Sequence, residues 1–226
     1  MIYQLAQAGH DVEVITVFTG DPPIGPLTPF AQTLHERWQA IPDDRRREDV
    51  VSLKLLGAQA IHWPYPDAIY RRDSVGEAAL YDSEPSIFDE VAAADAATIE
   101  SIARRLASID SRARCYVPLT AGYHVDHQIV RRAAESLGRE LIYYEDYPYA
   151  EVPGKVEAAL DDGSWRMELV RLGDEAVRAK ARAILAYRSQ LSTFFESESE
   201  MEQRVRAYAT RVGGEVGPAE RLWWRG

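Results

Sequence analysis

Taken by its alternation of apolar and polar positions, the chain divides into short strands separated by helices. Asp11 to Thr19 is the strongest strand: Val12, Val14, Ile15, Val17 and Phe18 are apolar and β-prone. Their near-continuity predicts a strand buried on both faces. Gly20-Asp21-Pro22-Pro23 ends it with turn chemistry. Ahead of it, Ile2, Leu5 and Ala6 share one face of a helix that stops at Gly9. Helical patterns follow over 27–39 and 43–57, then a short strand from Gln59 to Trp63 and a loop-rich stretch from Pro64 to Pro85. Ser86 to Ser108 predicts one long helix, with Ile87, Val91, Ile99, Ile102, Ala103 and Leu106 on one stripe. Arg114 to Leu119 reads as a strand, 127–137 as a helix and Glu140 to Tyr144 as another strand.

This alternation predicts an α/β fold, a Rossmann-like, mainly parallel sheet flanked by helices. The C-terminal third differs. Val156 to Leu160 and Trp165 to Leu172, joined by Asp161-Asp162-Gly163-Ser164, predict a β-hairpin. Helices over 174–189 and 200–212 and a last strand from Glu220 to Arg225 complete the pattern. No internal repeat or low-complexity linker interrupts it, so a single domain over 1–226 is expected. The first element is a helix that feeds a strong strand. In α/β sheets such a helix crosses over from a preceding parallel strand, so the expectation is a sheet whose first strand is missing from this chain.

Composition adds exclusions. The 226 residues carry 26 Lys and Arg against 36 Asp and Glu, a formal net charge of −10, with 46% apolar and 27% charged residues. A chain of this length buries a core as one domain. The acidic balance argues against general nucleic-acid binding, which needs clustered cations. No apolar run approaches the ~18 residues of a membrane span. Met1 to His10 carries no basic region and no cleavage site, so no secretory signal is visible and a cytoplasmic protein is expected. Cys115 is the one cysteine, which excludes an intrachain disulfide and a thiolate zinc cluster. In its apolar run it reads as a buried structural thiol. Any metal must then be held by His and carboxylates.

The dinucleotide fingerprint, the P-loop and the serine-hydrolase elbow are all absent. The best local signal is Pro118-Leu119-Thr120-Ala121-Gly122-Tyr123-His124-Val125-Asp126-His127. It follows a predicted strand and opens a helix, the place where open α/β sheets carry their sites. His124 and His127 are three apart and can meet across one turn. Imidazole suits zinc, a catalytic zinc takes about three protein ligands plus water, and bound water becomes a nucleophile near neutral pH. The other imidazole could stabilise an oxyanion or protonate a leaving amine. Asp126 could orient a histidine through its ring N–H, or simply cap the helix.

These residues, with others in order along most of the chain, resemble the PIG-L/LmbE-like family of zinc-dependent de-N-acetylases. The strand from Asp11 to Phe18 with Thr19-Gly20-Asp21 is similar to the family's second strand. Arg46-Arg47-Glu48-Asp49 with Leu55-Leu56-Gly57-Ala58 resembles its next helix, and Pro64 to Arg71 its substrate-side loop. His124-Val125-Asp126-His127 resembles its second metal motif. Tyr144 to Tyr149 and Lys180 to Gln190 resemble later blocks. The resemblance implies hydrolysis of the acetamide of an N-acetylglucosamine-type sugar or glycoconjugate with Zn2+ or another divalent metal. It implies His127 as a metal ligand, His124 as the residue assisting the tetrahedral intermediate, and Asp126 as its supporting carboxylate. It places Asp67 and, more weakly, Arg47 at the sugar. Among the loop aromatics whose faces can stack on a sugar ring, Tyr123 is counted with them as substrate-binding.

One departure is large. The family's first motif, H-x-D-D, supplies two metal ligands and the general base, and nothing in 1–226 matches it. By position it would stand just before residue 1. Either the natural protein begins earlier, which retention of H-x-D-H favours, or catalysis has been lost and the chain is a sugar-binding or interaction domain. An incomplete zinc site in this chain is the expectation on both views. Self-association is left open.

Overall fold

The structure is a computed structural model that describes residues 1–73, 75–76, 78–160 and 164–226. The chain forms two compact units, one of 1–67 and 169–220, the other of 68–168 and 221–226.

In the first unit, α1 (Ile2–Gln7) precedes β1 (Glu13–Thr16). Two helices follow, α2 (Pro29–Trp38) and α3 (Pro42–Leu56), and then β2 (Gln59–His62). Proline begins both α2 and α3, where its missing N–H costs nothing. Thr28 caps α2 by accepting the Ala31 N–H at 3.1 Å. Gly57 ends α3 in the left-handed region, φ 75°. β1 and β2 are parallel, with Glu13 opposite Gln59 and Thr16 opposite His62. The expectation that β1 is buried on both faces fails: its residues are exposed or half-buried and only Val17, just beyond it, is buried. The reason is that, among the described residues, β1 pairs with β2 alone.

The second unit holds α4 (Ala96–Leu106), β3 (Cys115–Pro118), α5 (Val125–Glu135), β4 (Leu141–Tyr144) and α6 (Lys155–Ala159). β3 and β4 are parallel, Cys115 opposite Leu141 and Pro118 opposite Tyr144, with α5 as the crossover. α5 packs on β3 and α4 and buries Val125, Ile129 and Ala133 completely.

Two further strands, β5 (Trp165–Arg171) and β6 (Ala219–Arg225), complete a sheet of order β3-β4-β6-β5, with β6 antiparallel to β4. Backbone bonds from Leu172 N–H to Pro218 C=O and from Gly226 N–H to Ser164 C=O mark the β5–β6 pair as antiparallel. The remaining helices are α7 (Asp174–Leu185), α8 (Arg188–Phe194) and α9 (Glu198–Gly213). The parallel pairs β1–β2 and β3–β4, flanked by helices, bear out the mixed α/β class.

Three expectations are corrected. The C-terminal β-hairpin is not formed: residues 155–159 are helical, and β5 takes β6 as its partner instead. A short apolar run fits helix and strand equally, and here the helix wins; its supposed turn residues Asp161, Asp162 and Gly163 lie outside the described residues. The long helix at 86–108 is broken into 3-10 turns at 86–88 and 93–95 before α4 begins. Tyr81 diverts it, because its hydroxyl oxygen accepts the Ala92 N–H at 3.0 Å and its O–H donates to Asp95 at 2.7 Å. Cys115 is half-buried rather than buried.

Candidate active site

The loop after β3 carries the cluster. Leu119 N–H donates to Tyr144 C=O at 2.8 Å, continuing the ladder one step past β3. The backbone then turns sharply. Thr120 and Tyr123 both adopt the left-handed region, φ 67° and 59°, which non-glycine residues hold only when their surroundings enforce it. Arg131 from α5 does part of that enforcing, donating to Leu119 C=O at 2.8 Å and to Thr120 Oγ1 at 3.3 Å. Gly122 is required sterically: a Cβ there would lie 2.4 Å from Cγ of Tyr149.

His124 is the N-cap of α5. Its Nδ1 accepts the Asp126 backbone N–H at 3.2 Å. A neutral His124 ring therefore carries its proton on Nε2. Its ring centroid is 5.5 Å from that of His127. His127 is held the opposite way round. Its Nδ1–H donates to Asp146 Oδ2 at 2.8 Å, so a neutral His127 ring keeps its lone pair on Nε2. Asp146 is buried just beyond β4 and also accepts the Ala121 and Gly122 N–H groups at 2.9 and 3.4 Å. Burial opposes its charge. The His127 hydrogen bond, the charge that ring carries whenever it is protonated, and the Ala121 N–H outweigh it and hold the carboxyl below its usual range.

Asp126 does not reach a histidine ring with its carboxylate, nor does it cap the helix. Its oxygens accept Arg71 Nη1–H at 2.6 Å and the Ala68 N–H at 3.4 Å. Arg71 is 4% exposed and donates through Nε to Asp95 at 3.0 Å. Burial works against the guanidinium charge, and Asp126 and Asp95 override it and raise its pKa. The orienting carboxylate is thus Asp146, nineteen positions beyond His127. The sequence signal for it was its place just past the fourth strand.

Tyr123 is exposed, and its hydroxyl donates to Glu90, which also pairs with Arg132 at 3.2 Å. Two aromatic rings complete the surroundings: Phe88 stands edge-on to His124 and Tyr149 edge-on to His127. Asp67 and Arg47 belong to the first unit. Asp67 accepts Arg45 Nη1–H at 3.1 Å. Arg47 is a solvated helix charge paired with Asp43 and Asp44.

The sequence pattern of the family described as "PIG-L: GlcNAc-PI de-N-acetylase" matches residues 1–137. The chain belongs to the PIG-L family. No curated sequence matches it. A zinc-inhibited form of teicoplanin deacetylase Orf2 superposes with a TM-score of 0.81 at 25% identity, over 100% of this chain and 91% of that one. The A40926 pseudoaglycone deacetylase Dbv21 gives 0.71 at 27% identity, over 99% and 88%. GalB, the 4-carboxy-2-hydroxymuconate hydratase of Pseudomonas putida, gives 0.54 at 15% identity over 99% and 87%, which shows a shared fold alone. For this PIG-L chain, the donor set decides how far a metal fits. Among the described residues no group of three or more His, Cys, Asp or Glu side chains is placed to hold one. No helix of the described residues is long and apolar enough to cross a membrane.

Proposed function

We propose that the protein is a de-N-acetylase acting in the cytoplasm on an N-acetylglucosamine-type sugar or a glycoconjugate that carries one, with 1–226 acting as one deacetylase domain. Membership of the PIG-L family and likeness to the teicoplanin and A40926 pseudoaglycone deacetylases support the reaction class. The observation that carries the reading is the pair of imidazoles fixed in complementary states, His124 with Nε2–H and His127 with an Nε2 lone pair.

In amide hydrolysis the oxygen of water bonds to the acyl carbon, the C–N bond breaks with its electron pair on nitrogen, and both water protons end on that nitrogen, leaving a carboxylate and an ammonium. The developing oxyanion is where a fixed donor stabilises most. His124 is the catalytic residue proposed for that place, donating through Nε2–H. Asp126, through Arg71 and its own backbone N–H, sets the start of α5 and so the seat of His124. Tyr123 would meet the sugar by stacking.

Zinc, when bound, would activate the water. His127 offers it one ligand, against about three in a catalytic zinc site. The described residues therefore do not fit a resident zinc by themselves, and the roles above rest on this chain's own side chains. That shortfall also favours a second reading, a non-catalytic sugar-binding domain on the same fold.

The test is release of free amine from an N-acetylglucosamine glycoside and from an N-acylated glycopeptide, followed by mass spectrometry, with His124→Ala alongside. Amine release slowed about 10²–10³-fold in the variant is the expected result. Saturable sugar binding with no amine release, with and without added zinc, would leave the binding-domain reading standing instead.

A further inference from the structure

The two imidazoles sit in a closed cycle of four rings. Phe88 to His124 is 5.3 Å between centroids, His124 to His127 5.5 Å, His127 to Tyr149 5.8 Å and Tyr149 to Phe88 5.7 Å. Phe88 meets His124 at 85° and Tyr149 at 66°, edge to face in both contacts. This is the geometry aromatic rings prefer at such distances. Tyr149 itself packs against Gly122, where no Cβ fits.

Phe88 comes from the segment 83–90, far from the histidines in sequence, and that segment is strapped to α5. Gln128, 4% exposed and directly after His127, donates both amide hydrogens, to Asp89 C=O at 2.8 Å and to Tyr123 C=O at 2.8 Å. Glu90 accepts from Arg132 on the next turn and from the Tyr123 hydroxyl. Within the strap, Ser86 Oγ donates to Ser83 C=O at 2.8 Å and accepts the Ser83 N–H at 3.1 Å. The Phe88 N–H donates to Pro85 C=O at 3.1 Å. A buried glutamine spending both donors on the backbone of one loop and one turn is an expensive way to hold a surface segment. What it holds is a ring that meets His124 from a segment outside its own motif.

We propose that Phe88 is a positioning residue: clamped by Gln128, it sets the angle of the His124 ring and so the direction of Nε2–H. This deepens the deacetylase reading and rests on it for the kinetic half of its test. A catalytic donor must be held within ~0.5 Å and ~10–20° of its productive pose, and a misplacement of ~1 Å can cost ~10²-fold in rate.

The experiment compares Phe88→Leu, Phe88→Tyr and Gln128→Ala with the unaltered protein, using amine release from an N-acetylglucosamine glycoside and the His124 ring signals in 1H–13C spectra without substrate. Phe88→Leu keeps the apolar bulk and loses the edge. It should lower kcat roughly 10–100-fold with little change in KM and should move the His124 ring signals while leaving the backbone amide spectrum intact. Phe88→Tyr should restore both, and Gln128→Ala should shift both in the same direction by less. Full kcat with unmoved His124 signals in Phe88→Leu overturns the proposal. So does a change in KM alone, which would make Phe88 a substrate contact. If the unaltered protein releases no amine from any amide, the deacetylase reading falls, and the ring signals still decide the positioning role.

Discussion

Asp146 holds His127, and Asp49 holds His62, each across 2.8 Å and each aspartate buried. Asp146 takes the Nδ1 side of its histidine, next to the main chain, and leaves the tip nitrogen Nε2 facing outward beside a second imidazole. Asp49 takes the tip itself. Its oxygens also accept from Thr16 Oγ1 at 3.0 Å and from the Tyr187 hydroxyl, so α3, both strands of the small sheet and the N-cap of α8 are stapled to one carboxylate. A carboxylate–histidine contact is therefore no sign of a site in itself. Which ring nitrogen is held, and what faces the other, separates a poised imidazole from a packing one.

The largest effect should come from the ion network behind the poised pair. Arg71→Ala leaves Asp126 and Asp95 as buried, uncompensated carboxylates and should cost about 3–5 kcal/mol, read as a lowered denaturant midpoint. If the loss is no greater than for a surface arginine, the network does not anchor α5. Next in size, His124→Ala should lower the rate of amine release about 10²–10³-fold, whereas His62→Ala should leave the rate near that of the unaltered protein and lower stability only. Equal rate losses in the two would erase the distinction drawn between the pairs.

The aspartates sharpen it further. Asp146→Ala releases the His127 ring and should lower the rate of amine release about 10–100-fold, read by mass spectrometry of the freed amine. Asp49→Ala should instead leave three donors unsatisfied and cost about 1–3 kcal/mol with activity retained in the folded fraction.

The smallest effect lies at high pH. Burial of Tyr81, together with its hydrogen bond to Asp95, outweighs the Ala92 N–H and pushes its phenol up to about 12 from an ordinary 10. The folded state then keeps a proton that the unfolded chain has lost, so stability present below pH 10 falls as pH rises toward 12. On the order of 1 kcal/mol, after allowance for solvent screening, should disappear over that window, and Tyr81→Phe should flatten the decline. A Tyr81→Phe curve parallel to the unaltered one would remove Tyr81 from the account.

The poised pair was legible in sequence because its logic is local. His124 and His127 are a turn apart at the mouth of a helix that follows a strand, and periodicity alone locates that junction. What holds them was not legible. Asp146 arrives from beyond β4 and Phe88 from a segment whose apolar stripe mimics a helix. That stripe was overruled by Tyr81, a residue outside the window being read. Asp126 looked like the orienting carboxylate by proximity, yet a buried arginine from another loop claims it. The strand–helix alternation carried the fold for the same reason it carried the motif. The β-hairpin failed because the partner of β5 lies some fifty residues downstream, a distance over which pattern gives no pairing information.

Gly122 has a consequence for how this protein can change over time. Any methyl at that position would collide with the ring of Tyr149, so the backbone beside the two histidines tolerates no side chain unless that tyrosine shrinks first. Drift through this codon is blocked by volume, not by chemistry. A library that randomises it should yield glycine alone, while one that also relaxes Tyr149 should yield alanine and serine, so the two positions can change only together.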